Sequence, residues 1–292
     1  MKIIVRVPGS CGEFVQGYWQ QQPVLITCPI NWYTTVCIED TLPQQLICGE
    51  KAKKAIDKTL AYIQEPLFPF TLTVSSEIPQ EKGMASSSAD ISAVIIAVAA
   101  AFHKTLTPQE IAYIAVSIEP TDGVFFPGIV AMNYRTGQLL HTYETVPSMQ
   151  LVMFDTGGSM NTADYHRQYD DKERQYGRQA AVACEYLIKN DTPAAFGRAA
   201  AYSALLHQHV YYRPEVPVLQ HIGQAYKSCG IVIGHSGTVM ALLFSEEAGE
   251  KLDTISLISS VQQHTNLSVL GTAVLISGGW QLEIEDVHAT TI

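Results

Sequence analysis

The sequence predicts an α+β protein whose strands and helices pack in two layers. Strand-like and helix-like patterns occur together in both halves of the 292-residue chain, and 47% of the residues are hydrophobic, enough for a large buried core. Charged residues make up only 16%, too few for a disordered chain. At about 150 residues per domain the length suggests two domains. A new strand after Pro147 places the boundary there, giving ranges 1–147 and 148–292.

The formal net charge is −10, with no basic stripe along the chain. Binding to nucleic acid or to an anionic membrane depends on Lys and Arg, so neither partner is expected. Phosphate binding stays open, because backbone amides, a helix N-terminus and a metal ion can hold phosphate without net positive charge. No apolar run approaches the ~20 residues of a membrane span, and Pro8-Gly9 ends the first apolar run too early for a signal peptide. The six cysteines lack CxxC spacing, which favours reduced thiols in a cytoplasmic protein.

The pattern of the first half predicts short strands and three helices, of which the middle one follows the segment 79–90. The β-rich run 2–7 ends at Pro8-Gly9, which predicts a strand followed by a turn. Residues 50–64 place apolar side chains at helical spacing. Thr107-Pro108, with Glu110 three residues after the threonine, is typical of a capped helix start. The other strands are predicted at 23–28, 32–39, 70–75, and, as a hairpin, 129–134 with 138–143.

The second half begins with the strand MQLVMFD and continues with two long helical patterns. The rest alternates between the two types of element. Helices are predicted at 164–189, 193–208, 217–228 and 246–263, and strands at 230–234, 238–244, 268–276 and 280–284.

One glycine- and serine-rich segment, 79–90, leads directly into an alanine-rich helical run. Three serines at a helix start leave free backbone amides at the positive end of the helix dipole. Gly83 and Ala85 keep the backbone bare enough for a polyphosphate to approach, and Lys82 adds a cation. A plain serine N-cap before a buried helix explains the same residues equally well, and the segment is not a P-loop. Local sequence leaves both interpretations open.

Together with 79–89, the segments 8–17 and 230–240 resemble, in this order, the three motifs of the GHMP kinase superfamily of galacto-, homoserine, mevalonate and phosphomevalonate kinases. Ala85 replaces the usual second glycine and Ser88 the usual alanine, both still small. The resemblance implies an N-terminal ribosomal-protein-like half that binds ATP and a C-terminal ferredoxin-like half.

Longer runs resemble the L-threonine kinase branch of that superfamily, which serves adenosylcobalamin synthesis. They are PGSCGEFVQG, LITCPINWYTTV, KGMASSSADI, EPTDGVFF, DTGG with Thr162 after it, SALLHQ and GHSGTV. The implied reaction transfers phosphate from ATP to the L-threonine hydroxyl, giving O-phospho-L-threonine and ADP for the aminopropanol arm of that pathway. Two alternatives stay open: a kinase for another small amino alcohol such as homoserine or serine, and a kinase-derived regulator that only binds ligands.

The resemblance also implies the cofactors, ATP and Mg²⁺, and the residues that hold them. Ser87 and Glu119 are the expected magnesium ligands, and Asp122 the catalytic residue that takes the proton of the acceptor hydroxyl or only orients it. Without the resemblance, Glu119 and Asp122 would be interpreted as solvated carboxylates in a turn at the end of a helix. The predicted ATP-binding residues are Lys82, Gly83, Met84, Ala85, Ser86, Ser87 and Ser88.

Residues for the acceptor are expected in two loops, with a third loop near the phosphates. For the first of these loops, in segment 8–17, the alternative to substrate binding is a simple turn followed by a buried Phe14-Val15 pair. His207 and His209 resemble no metal site and are interpreted as surface or packing groups. The expected substrate-binding residues are Gly12, Glu13, Gln16, Asp155, Gly157 and Thr162, and the phosphate-proximal residues are Gly234, His235, Ser236 and Gly237.

Overall fold

The computed structural model describes residues 1–40, 43–143, 145–160, 162–246 and 252–285, without the side chains of residues 162, 163 and 166. The described chain is a mixed α+β fold, as the sequence predicts. The strands are β1 Lys2–Trp19, β2 Gln22–Glu39, β3 Leu46–Ile47, β4 Thr71–Ser76, β5 Ile129–Met132, β6 Leu139–Tyr143, β7 Met149–Asp155, β8 Gly230–Ile233, β9 Val239–Ser245, β10 Ser268–Val274 and β11 Gln281–Glu285. The helices are α1 Glu50–Ile63, α2 Ser86–Ala101, α3 Pro108–Val116, α4 Thr162–Tyr176, α5 Ala180–Lys189, α6 Pro193–His207, α7 Glu215–Ala225 and α8 Thr254–His264.

The described strands join in one sheet in the order β10-β7-β9-β8-β1-β2-β4-β3. The antiparallel pair of β1 and β2 is the longest, β11 pairs with β1, and the β5–β6 hairpin is attached to β2. Strands from both halves of the chain meet where Glu13 of β1 pairs with Ile233 of β8. The division into domains at residues 147 and 148 stays a prediction.

Helix α2 lies in the centre of the core and packs against β1, β2, α1 and α3. Nearly all of its residues are buried, as expected of a helix that is apolar on every face. Each fully buried Ile or Val side chain contributes about 1.5–3 kcal/mol. The core therefore fixes the position of the α2 N-terminus. None of the described helices is both long enough and apolar enough to cross a membrane.

The predicted turn at Pro8-Gly9 is wrong, because β1 continues through it to Trp19. Shifts in register after Pro8 and Ser10, and again after Glu13, absorb extra residues as bulges without ending the pairing with β2. The first segment is thus a distorted strand. The two strands predicted at 23–28 and 32–39 are likewise one continuous strand, β2.

The long helix predicted at 164–189 is interrupted by a 3₁₀ turn at Gly177–Gln179. At this point the chain passes very close to β1, since a Cβ on Gly17 would lie 2.4 Å from the carbonyl oxygen of Gly177. Helix α8 begins at Thr254, later than predicted, with Asp253 as its N-cap; residues 247–251 of the prediction lie outside the described residues. Strand β3, only two residues long, was not predicted.

The capping box predicted for α3 is present, and replacing Thr107 by Ala tests its contribution. The Thr107 hydroxyl accepts from the Glu110 N–H at 3.3 Å, and the Glu110 carboxylate accepts from the Thr107 N–H at 2.8 Å. We expect Thr107→Ala to lower the free energy of unfolding by about 1 kcal/mol, measured by urea denaturation. Thr105→Ala, at an exposed site nearby, should change it by less than ~0.5 kcal/mol. Equal losses in the two variants would contradict a specific capping effect.

Candidate active site

The N-terminus of α2 carries no side-chain cap. Its N-cap is Ala85, with φ of 57° and no side-chain hydrogen bond, so a serine N-cap is not what the structure contains. Gly83 precedes it at φ 76°, a conformation that favours glycine. The first amides of α2 therefore keep their capacity to bind an anion at the positive end of the helix dipole.

The loop before α2 is held by the first segment. The Ser10 N–H donates to the carbonyl of Met84 at 3.0 Å, and the Gly12 N–H donates to that of Gly83 at 3.2 Å. Gly12 has φ of 62°, and a Cβ there would lie 2.2 Å from the Ile233 carbonyl oxygen. The bulged part of β1 is thus fitted between the loop and β8. The Met84 side chain is buried, so among the predicted ATP-binding residues it is placed to contribute its backbone.

The third segment holds the same loop from a different strand. Thr238 and Val239 donate their N–H groups to the Lys82 carbonyl at 2.9 and 3.0 Å. A Cβ on Gly237 would lie 2.2 Å from the backbone nitrogen of Gly83, so only glycine permits this approach. The three segments that suggested the superfamily therefore meet at one place.

The Lys82 side chain is not a free cation. Its Nζ lies 2.6 Å from Asp155 Oδ2 and donates to the carbonyl of Gly158 at 2.5 Å. Burial alone raises the pKa of the Asp155 carboxyl, but the hydrogen bond from Lys82 and other donors outweighs burial, and the net pKa lies below its usual value. The structure thus brings Asp155 to the α2 loop. Gly157 is exposed beyond it.

Ser87 and Glu119 are brought together, and a lysine contacts both of them. The Ser87 hydroxyl donates to Glu119 Oε1. Lys51 of α1 places its Nζ 2.7 Å from Glu119 Oε2 and 3.1 Å from Ser87 Oγ. These two oxygens therefore already hold a cationic group, and a hydroxyl with a carboxylate is a donor set that suits Mg²⁺. In the sequence, the helical spacing of α1 places Lys51 away from the apolar face. No pattern among its neighbours indicates that Glu119 and Ser87 contact it.

Asp122 lies beside the next serine. Its N–H donates to Ser88 Oγ at 3.0 Å, and the Ser88 hydroxyl lies 3.3 Å from Asp122 Oδ2. Ser88 and Ser86 are themselves buried, whereas Ser87 and Asp122 are half-buried. Consecutive residues of the first helical turn thus reach the two acidic residues predicted for metal binding and catalysis.

Glu13 of the first segment and His235 of the third segment form a buried contact. Glu13 Oε2 accepts from the His235 N–H at 2.9 Å and lies 2.8 Å from its Nδ1. On the other edge of the ring, Nε2 lies 3.1 Å from the Ser203 hydroxyl. The substrate-binding role of Glu13 stays a prediction, since this oxygen is already used within the protein. Ser236 of the same turn is half-buried.

Arg213 is a residue of this region that sequence reasoning missed. Its guanidinium is buried and donates to the carbonyls of Gly234 and His235 at 2.9 and 3.2 Å. Burial lowers its pKa from the usual value. Neither neighbouring residues nor a motif marks Arg213, because its partners lie more than 20 residues further along the chain.

Gln16 points toward the helices of the second half, where its Nε2 donates to Glu173 Oε1 at 2.9 Å. His207 lies close by; it is buried, with Nε2 2.7 Å from the Tyr165 hydroxyl, so the packing interpretation is right for it and the surface interpretation is wrong. His209 is exposed and stacks on Tyr176. The Thr162 side chain lies outside the described residues. Among the described residues, no three or more His, Cys, Asp and Glu side chains converge as a metal site.

Comparisons with known proteins identify the family of the chain. A family model described as the GHMP kinases N terminal domain matches residues 50–126, which include α1, the α2 loop and Asp122. An L-threonine kinase from Citrobacter freundii is 30% identical over 82% of this chain and 85% of its own length. An L-threonine kinase from Salmonella typhimurium is 28% identical over 84% of this chain and 83% of its own.

Solved structures share the fold at low sequence identity. The mevalonate kinase of Methanococcus jannaschii superposes with a TM-score of 0.72 at 16% identity, over 94% of this chain and 98% of its own. A homoserine kinase from Cytophaga hutchinsonii gives 0.61 at 14% identity, over 97% of each chain. With a relative at 30% identity along most of its length, the chain belongs to the GHMP kinase superfamily and is an ATP-dependent kinase.

Proposed function

We propose that the protein phosphorylates the side-chain hydroxyl of L-threonine with ATP and Mg²⁺, releasing O-phospho-L-threonine and ADP. The name of the curated relatives supports the substrate. The observation that carries the proposal is the contact between Ser88 and Asp122, which places a carboxylate beside the uncapped N-terminus of α2. We further propose, from the resemblance, that the product serves the aminopropanol arm of adenosylcobalamin synthesis.

The triphosphate binds at residues 82–88. The amides at the start of α2 donate to phosphate oxygens. A Cβ on Gly83 would lie 2.9 Å from the Cα of Gly237, so glycine at this position allows the turn 234–237 to pack on the loop. Lys82 lies at the edge of this cradle, with its charge shared with Asp155. The turn 234–237 packs on the loop and keeps it in the shape that binding needs.

Ser87 and Glu119 would hold Mg²⁺. The ion would neutralise charge on the phosphate oxygens, as in other phosphoryl-transfer enzymes. The contact of the Lys51 ammonium group with both side chains supports this proposal, because the same oxygens already lie against a cation.

Asp122 faces the acceptor hydroxyl. Its backbone and side chain are both held by Ser88, so its carboxylate has a fixed position relative to the helix that binds the phosphates. Asp122 would accept a hydrogen bond from the threonine hydroxyl and orient its oxygen toward the γ-phosphate. As the new phosphorus–oxygen bond forms and the bond from the γ-phosphorus to ADP breaks, this carboxylate would take the hydroxyl proton.

Substrate choice is tested by ADP release from purified protein with ATP and Mg²⁺. We expect L-threonine to give a higher kcat/KM than L-homoserine, L-serine or mevalonate. The preference for L-threonine over L-homoserine or L-serine is expected to be about 10- to 200-fold, since these two differ from threonine in the placement or number of methyl or methylene groups. Faster turnover of any of the other three would assign a different acceptor.

Asp122→Asn tests the catalytic role. We expect kcat to fall by about 10²–10⁴-fold while the dissociation constant for ATP, measured by calorimetry, changes little. Asp57→Asn, at an exposed position of α1, is the matched control and should leave both values unchanged. A protein that binds ligands without catalysis would release no ADP even before the substitution.

Glu119→Gln tests the metal site. We expect the Mg²⁺ concentration for half-maximal activity to rise by about tenfold or more, because a neutral amide oxygen is a weaker ligand than a carboxylate. Titration with MgCl₂ at fixed ATP, corrected for MgATP formation, gives this value. Glu185→Gln on the exposed face of α5 is the control. An unchanged Mg²⁺ requirement would place the ion elsewhere.

A further inference from the structure

A small cavity lies between β1, the end of α4 and α6. Two of its walls belong to elements of the candidate active site. One is His235, in the turn that packs on the α2 loop. The other is Tyr134, whose carbonyl accepts from the N–H of Thr121, the neighbour of Asp122. The cavity is therefore connected to the phosphate side through the turn of His235 and to the acceptor side through the hydrogen bond between Tyr134 and Thr121.

Among the described residues that line the cavity, Glu173 is the one carboxylate, and none is a lysine or arginine. Glu173 is only 6% exposed. Its Oε1 accepts from Gln16 Nε2 at 2.9 Å, which fixes the carboxylate against β1. The nearby guanidinium groups of Arg135 and Arg174 both contact Asp170 and do not line the cavity. Arg213 contacts the carbonyl of His235 but does not line the cavity either, so Glu173 is the one formally charged side chain among the described lining residues.

Aromatic rings complete the wall. Tyr18, Tyr134 and Tyr176 line the cavity with Glu173. Tyrosine faces attract cations through their ring quadrupole. His207, also in the wall, adds no positive charge, because burial, then the neighbouring His235 and Arg213, hold its pKa well below the usual value. A carboxylate among tyrosine rings is the environment that binds an organic ammonium group.

We propose that this cavity takes the α-ammonium group of the acceptor amino acid, that Glu173 binds it, and that Gln16 positions the Glu173 carboxylate. The inference rests on the proposed function for the identity of that acceptor. It assigns the ammonium contact to a residue of α4 that the sequence did not mark, whereas Glu13, expected from the sequence to bind the substrate, contacts His235. Gln16 keeps a role at the substrate, exerted through Glu173.

The test compares two substrates in two proteins. L-threonine and (R)-3-hydroxybutyrate differ only in the ammonium group. We expect Glu173→Gln to lower kcat/KM for L-threonine by about 10- to 100-fold, the value of a hydrogen bond to a charged group. The values for (R)-3-hydroxybutyrate and for ATP should stay within about threefold. If the hydroxy acid turns over too slowly, its Ki as a competitive inhibitor replaces kcat/KM.

Glu185→Gln on α5 is the control and should leave both substrates unaffected. A uniform loss for both substrates in Glu173→Gln would mean a structural role and would overturn the proposal, as would no loss for L-threonine. If Glu173→Gln does not fold, Gln16→Met provides the test. It should produce a smaller loss, selective for L-threonine, and an unselective effect counts against the proposal.

Failure of the proposed function gives a different result. A wild-type protein that prefers L-homoserine refutes threonine as the acceptor but leaves the cavity testable with L-homoserine and 4-hydroxybutyrate, which again differ only in the ammonium group. A selective loss for the amino acid would still support Glu173. A wild-type protein with normal threonine turnover and an insensitive Glu173→Gln variant refutes only the inference about the cavity.

Discussion

The site depends on one constraint, an α2 N-terminus that is buried in position yet uncapped. The core holds α2 on all sides, and the left-handed residue at Ala85 turns the chain into the helix without a side-chain cap. Because its first three residues are consecutive serines, the hydroxyls point in different directions around the helix axis. Ser87 therefore reaches Glu119 and Ser88 reaches Asp122. The geometry of one helical turn separates the two carboxylates for which we propose metal binding and acceptor binding.

The lysines of this site are paired with carboxylates. Lys51 contacts Glu119 and Lys82 contacts Asp155, so each lysine of the cradle is already matched by a carboxylate, and Asp122 adds a further negative charge. A triphosphate brought here gains little from net charge. It must be held by directed N–H donors and by a divalent ion, which agrees with a protein whose formal net charge is −10. The acidic composition and the phosphate chemistry are therefore compatible, as the sequence indicated.

Sequence patterns predicted the features that local physics determines. The capping box at Thr107, the amphipathic α1 and the hairpin of β5 and β6 all follow from side-chain spacing within a few residues. Distant contacts did not follow from spacing. The bulges of β1 replace a predicted turn, and the close approach of Gly17 to Gly177 interrupts a predicted helix. Lys51, Arg213 and Glu173 belong to no motif, because their partners lie on other elements.

The turn at 234–237 links the two sides of the site through buried charge. Glu13 accepts the N–H and faces the ring of His235, while Arg213 donates to the carbonyls of Gly234 and His235. Leaving any of these buried groups without a partner costs several kcal/mol, so the turn has one favoured arrangement. Its backbone shapes the phosphate loop, and the ring of His235 forms part of the cavity wall. A ligand in the cavity would thus contact the turn that packs on the proposed phosphate loop. Under the proposed function, one turn would align acceptor and nucleotide, which is what transfer between two small molecules requires.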